Sequence, residues 1–110
     1  MSAASEEILV LCSVNDEDLA QEFITDLLED QLVLSGSILP AQIMYIFDGQ
    51  LTIEGDFKML LKAREGNYAD IEKYIMEKHP YRSPEVIKIP ASFGSAAFRE
   101  FLMQRKTMEE

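Results

Sequence analysis

Apolar positions along this chain follow three rhythms, and each rhythm predicts a different kind of element. Residues 8–12, Ile-Leu-Val-Leu-Cys, form an unbroken apolar run with β-branched members, the pattern of a strand covered on both faces. Asn15 can cap a helix, and Asp16, Glu17 and Asp18 after it suit the positive end of a helix dipole. Leu19, Ala20, Phe23, Ile24, Leu27 and Leu28 then recur at helical spacing and predict an amphipathic helix to about Leu32. Ser35-Gly36-Ser37 predicts a break or an irregular strand start, and Pro40 precedes a second apolar run at residues 43–47. Asp48-Gly49 predicts a tight hairpin, because glycine accepts the positive φ that such a turn requires. Beyond it Leu51, Ile53, Phe57, Met59 and Leu61 alternate with polar residues, the period of a long strand with one apolar face. Gly55 lies on the apolar parity and predicts a bulge or a close backbone contact.

Gly66-Asn67 punctuates the pattern again, and Tyr68, Ile71, Tyr74, Ile75 and Met76 predict a second helix. It ends by His79, since Pro80 disfavours helical geometry in the residue before it. Residues 85–89 predict a short last strand, and Ser92 or Ser95 opens a third helix carrying Ala97, Phe98, Phe101 and Leu102 on one side. The order β-α-β-β-α-β-α is that of an α+β protein, the ferredoxin-like split βαβ sandwich with one helix added at the end. Both long helices of such a fold cover one sheet face. A second face turned to water would show polar residues at alternate positions, which residues 8–12 and 43–47 lack. The second face is therefore expected to be buried between subunits. With 110 residues the chain is expected to hold a single domain at 8–105, between flexible tails at 1–7 and 106–110.

Charge narrows the partners. Twenty acidic residues against ten basic ones give a formal charge of −10, a field that repels a phosphate backbone. The basic residues are scattered, with no run and no interleaved aromatics, which argues against nucleic acid. No apolar run is long enough to cross a bilayer, so direct membrane insertion is not expected. The opening MSAASEE has neither basic residues nor an apolar stretch of signal length, and one cysteine forms no internal disulfide. Both fit a cytoplasmic protein. A single histidine, and no Gly-x-Ser-x-Gly elbow, leave nucleophilic hydrolysis unsupported, and isolated glycines offer no phosphate cradle. No enzyme activity is expected.

Several blocks in order point to a family. Val10-Leu-Cys-Ser-Val14 with Asn15-Asp-Glu, Ile38-Leu-Pro40, Tyr45-Ile-Phe-Asp-Gly49, Lys62-Ala-Arg64 and His79-Pro-Tyr-Arg-Ser-Pro-Glu85 closely resemble the CutA family of divalent-cation-tolerance proteins, from about Ile8 to Leu102. The resemblance implies a ferredoxin-like subunit in a tight homotrimer with PII-like architecture. It implies a role in divalent cation tolerance, with binding of metal ions such as copper and no catalysis. Two other roles follow from the same resemblance: a trimeric scaffold for protein partners or membrane-protein anchoring, and a PII-like sensor of small effectors, with Lys62, Arg64 or Lys88 meeting an anionic metabolite. Some positions depart from the family pattern: Ser35 stands for a second cysteine, Phe47 for a tryptophan, Gln50 for a lysine, and Lys78 for a histidine found in some members.

Carried over by motif, the metal ligands implied are Cys12, His79 and Glu85. A sheet ordered 4-1-3-2 would bring the end of the first strand beside the start of the fourth. A thiolate, an imidazole and a carboxylate would suit copper(II) or zinc, although no cofactor is required by the pattern. Each residue also has a purely structural use. Cys12 is a small core hydrophobe, His79 a helix-terminal group bonding free carbonyls, and Glu85 an ion-pair partner for a residue such as Lys62.

Overall fold

A four-stranded antiparallel sheet, ordered β2-β3-β1-β4, carries the chain in the computed structural model, which describes residues 6–108 and side chains as far as Gln104. The elements are β1 (Glu7–Val14), α1 (Glu17–Glu29), β2 (Ser35–Phe47), β3 (Gln50–Arg64), a 3-10 turn (Glu65–Asn67), α2 (Tyr68–Lys78), β4 (Val86–Ala91) and α3 (Ala96–Met108). This is the ferredoxin-like order that the pattern predicts. The predicted tails lie largely outside the described residues, and the strand already begins at Glu7 while α3 runs to Met108.

One face of the sheet is built by parity. Ile8, Val10, Cys12 and Val14 of β1 and Met59, Leu61 and Ala63 of β3 point the same way and are fully buried. Ala20, Phe23 and Leu27 of α1 and Ile71 and Ile75 of α2 cover them. Each Val, Leu, Ile, Phe or Met among them contributes about 1.5–3 kcal/mol on leaving water. Gly36 lets α1 approach β2: a Cβ there would stand 2.8 Å from the Ile24 side chain.

Helix ends differ from expectation by a residue or two. The N-cap of α1 is Asp16 rather than Asn15, because the Asp16 carboxylate accepts the Leu19 N–H at 3.1 Å. The helix stops at Glu29 rather than Leu32. Gln31 turns left-handed with φ 60°, and the Leu32 and Gln31 N–H groups donate back to the Leu27 and Leu28 carbonyls. That pairing is a Schellman stop with Gln in the position glycine usually holds.

The β2–β3 ladder is unbroken from Ser35↔Lys62 to Phe47↔Gln50. Gly55 therefore marks no bulge; it faces Gln42 directly, and a Cβ there would meet nothing within 4 Å. Asp48 and Gly49, at φ 53° and 77°, close the hairpin with the left-handed geometry expected of the Asp-Gly pair. The irregular start expected at Ser35 is regular strand, and Pro40 sits inside it. β2 is an edge strand, where the missing N–H breaks no ladder bond.

This ladder outruns the rest of the sheet. β1 ends opposite Phe57, so the pairs from Ala41↔Asp56 to Phe47↔Gln50 project as a two-stranded arm of roughly 20 Å. The arm is uncovered: Met44, Ile46, Leu51 and Ile53 share one face, with Ile46 68% exposed and the other three more than half, while Phe47, 69% exposed, lies on the other face beside the polar Gln50, Thr52 and Glu54. At the opposite end of the far face, α3 folds back over the sheet. Leu34, Phe93 and Leu102 pack there against Leu9, Ala91 and Met103. The chain itself thus supplies part of the cover that the sequence assigned to neighbouring subunits. Glu7 ties this end down, accepting the Phe93 N–H at 2.7 Å and the Arg99 Nε–H at 2.8 Å.

Candidate functional site

Three elements meet where β1 ends. α2 delivers His79, because Pro80 halts the helix and His79 turns to extended geometry at ψ 136°. β4 begins at Val86, opposite Cys12, so Glu85 arrives beside the same strand end. The convergence expected from strand order is there for the backbone. The side chains follow a different logic.

Successive residues of β1 point to opposite faces, and that parity separates the expected ligands. Cys12 faces the helix layer with no exposed surface, between Met59 and Val86 in the ladders. Burial, with a smaller contribution from the Glu85 charge, pushes its thiol up to about 12, so almost no thiolate forms near neutral pH. Ser13, one residue on, faces the other way, and its hydroxyl donates to Glu85 Oε1 at 3.0 Å. Cys12 and Glu85 therefore present their reactive atoms on opposite sides of the sheet.

His79 is buried, with its ring edge-on to Phe23 and tilted against Tyr81. Its Nδ1 accepts the Tyr81 N–H at 3.0 Å, which leaves Nε2 to carry the proton and donate to the Ser13 carbonyl at 2.6 Å. Both nitrogens are spent on backbone groups. The structural use expected of a helix-terminal histidine is realised, with one difference: the carbonyl it bonds belongs to β1 rather than to its own helix.

Glu85 pairs with Lys58 at 2.9 Å, not with Lys62. Lys58 also lies 3.2 Å from Asp56 Oδ2. Burial alone would lower the Lys58 ammonium, but the Glu85 and Asp56 carboxylates outweigh it and hold the group above its ordinary value. Asp56 is 6% exposed, and among the described residues its Oδ2 makes no hydrogen bond and is compensated by the nearby ammonium. Ser13, Asp56 and Lys58 were not among the expected site residues. A signal for them existed, since Asp56 and Lys58 share the polar parity of β3.

Cys12, His79 and Glu85 thus gather around one strand end without presenting a common set of free donors. Among the described residues, no group of three or more His, Cys, Asp and Glu is arranged to hold a metal ion. What the arrangement does chemically is neutralise two carboxylates with one ammonium and lock the α2–β4 joint onto β1. Of the cations set out for an anionic effector, Lys88 is paired with Glu65 at 3.0 Å. No described helix is long and apolar enough to cross a membrane.

Known proteins resemble this chain along nearly its whole length. A family model described as CutA1 divalent ion tolerance protein matches residues 8–105. The divalent-cation tolerance protein CutA of Pectobacterium atrosepticum is 28% identical over 98 residues, which cover 88% of this chain and 89% of that one. Its counterpart in Citrobacter koseri is 29% identical over 98 residues, 88% of this chain and 85% of the relative. Among solved structures, CutA1 of a psychrotrophic Shewanella matches with a TM-score of 0.83 at 24% identity, covering 93% of this chain and 96% of its own. CutA of Synechococcus elongatus matches with a TM-score of 0.82 at 26% identity, covering 94% and 92%.

Proposed function

This chain belongs to the CutA1 divalent ion tolerance family, and on that premise we propose that it serves divalent cation tolerance as a cytoplasmic homotrimer that binds ions such as copper(II) without catalysing a reaction. The observation that carries the assembled form is the arm. It exposes Met44, Ile46, Leu51 and Ile53 together on one face, with Phe47 at its tip on the other. A monomer in water rarely leaves such a patch open, and a bare edge strand invites pairing. Other copies of the same chain, each with an identical arm, cover it best, because a closed ring leaves no arm unpaired.

The finer form of this reading puts copper(II) or zinc at Cys12, His79 and Glu85. It requires three releases, Lys58 from Glu85, the Tyr81 N–H from His79 Nδ1, and the apolar cover from the Cys12 thiol, together with a turn of the strand end that brings Cys12 and Glu85 to the same side of the sheet. Glu85 is the easiest to free, being partly exposed, and Cys12 the hardest. Two measurements test the proposal. Sedimentation is expected to give three times the 12.5 kDa chain mass. A monomer would favour a different protein as the occupant of the arm, the scaffold reading. Calorimetric titration with copper(II) is expected to show one site per chain that weakens at least tenfold in His79→Ala. Equal weak binding in wild type, Cys12→Ala and His79→Ala would leave only surface carboxylates and end the metal half.

A further inference from the structure

We propose that Lys58 is a resident counter-ion, seated between Asp56 and Glu85 where a hard divalent cation would otherwise sit, and that it keeps such ions out of this pocket. The geometry is that of an occupied cation site. The ammonium lies 2.9 Å from Glu85 Oε1 and 3.2 Å from Asp56 Oδ2, and Ser13 Oγ lies 3.0 Å from the same Glu85 oxygen. Asp56 Oδ2 is more than nine-tenths buried, makes no hydrogen bond among the described residues, and is ion-paired with that ammonium. A carboxylate so placed is costly unless a cation accompanies it.

The groups that hold the ammonium are two carboxylates, with the Ser13 hydroxyl bonded to one of them, and such oxygen donors select magnesium, manganese or calcium rather than copper or zinc. Metal–oxygen distances near 2.1 Å are shorter than the ammonium contacts, so the carboxylates would close in slightly on a bound ion. One strand of sequence holds both the buried acid and its plug. Asp56 and Lys58 stand two apart on β3, hence on one face, and Glu85 reaches them from the start of β4 past Ser13. The inference takes only its class of ligand from the divalent-ion reading. It involves neither Cys12 nor His79, and shares Glu85 alone with that set.

The test removes the plug and offers a hard ion. Manganese(II) chloride is titrated at neutral pH into wild type, Lys58→Met, Lys58→Arg and the double variant Lys58→Met/Asp56→Asn, read by loss of the free-ion electron paramagnetic resonance signal and by Tm. Lys58→Met is expected to bind at least tenfold more tightly than wild type and to gain Tm as manganese is added. Lys58→Arg, which keeps the charge, is expected to behave like wild type, and the double variant to lose the gain. Lys58→Gln serves in place of Lys58→Met should the latter fail to fold. A folded, plug-free variant that takes up manganese no better than wild type overturns the proposal, as does a gain that survives Asp56→Asn. Asp56 lies outside the copper ligand set, so this result and the His79→Ala copper titration fail independently.

Discussion

The β2–β3 ladder has a root and an arm, and the two halves share strands, register and an alternating apolar face while differing in exposure. At the root Met59 and Leu61 are fully buried under α1 and α2; along the arm Leu51 and Ile53, on the same strand and the same parity, are more than half exposed. Nothing intrinsic to the residues accounts for this, since Leu and Ile have similar affinity for an apolar environment. The difference lies in reach: the helices end where β1 ends, and the ladder continues. Alternation along a strand thus reports that a face is meant to be covered, and topology decides whether the chain covers it itself.

The comparison is broken or sharpened by variants placed on either side. Leu61→Ala leaves a cavity at the root and is expected to cost about 2–5 kcal/mol, at every protein concentration, in urea denaturation. Ile53→Ala is expected to cost within about 0.5 kcal/mol in the isolated chain, while making the denaturation midpoint fall, on dilution, at a higher protein concentration than it does in wild type. Equal, concentration-independent losses at both positions would mean that the arm is stabilised like the root. An effect smaller than that of Leu61→Ala comes from the turn: Gly49 has φ 77°, and Gly49→Val is expected to cost about 1–2 kcal/mol. Hydrogen exchange should quicken along the arm and stay unchanged at Val10 and Leu61; quickening at both would join the two halves into one cooperative unit.

The smallest expected effect lies at the far end of the root. Burial alone would raise the Glu7 carboxyl, but the Phe93 N–H and Arg99, with Arg64 beyond, hold it below the usual carboxylate value. A carboxyl depressed in the folded state adds stability that is present above its unfolded pKa and is lost as pH falls through its folded one. Acidification below the ordinary carboxylate range should therefore loosen the Phe93–Arg99 attachment of α3 while the arm signals stay in place. Glu7→Gln should flatten that acid response in the Phe93 amide shift; an unchanged profile would assign the response to other carboxylates.

Much of the fold was legible because local signals agree with it. Asp48-Gly49 and Pro80 act through one residue's own backbone freedom, and the helical stripe of α1 spans enough turns to be unambiguous. Helix ends were less so: Asn15 and Asp16 are both good caps, and Gln31 carries no outward sign of a left-handed turn. The site was legible as a place and not as a ligand set. Strand order brings Cys12, His79 and Glu85 to one end, but a fully apolar run does not reveal which parity the helices cover, and so hides that Cys12 and Glu85 face opposite ways. The pairing of Lys58 with Glu85 spans 27 positions and depends on that same face assignment.

The unbroken register from Ser35 to Phe47 also works as a ruler. Because the ladder has no bulge to absorb an odd residue, one residue inserted into a single strand would turn every arm side chain beyond it to the opposite face. The length of the projection can then change by descent only in matched steps, two residues added to each strand, each step moving the tip by about 7 Å. Relatives with longer or shorter arms should differ by even numbers on both sides of the turn, and the spacing between assembled copies should be inherited in discrete increments.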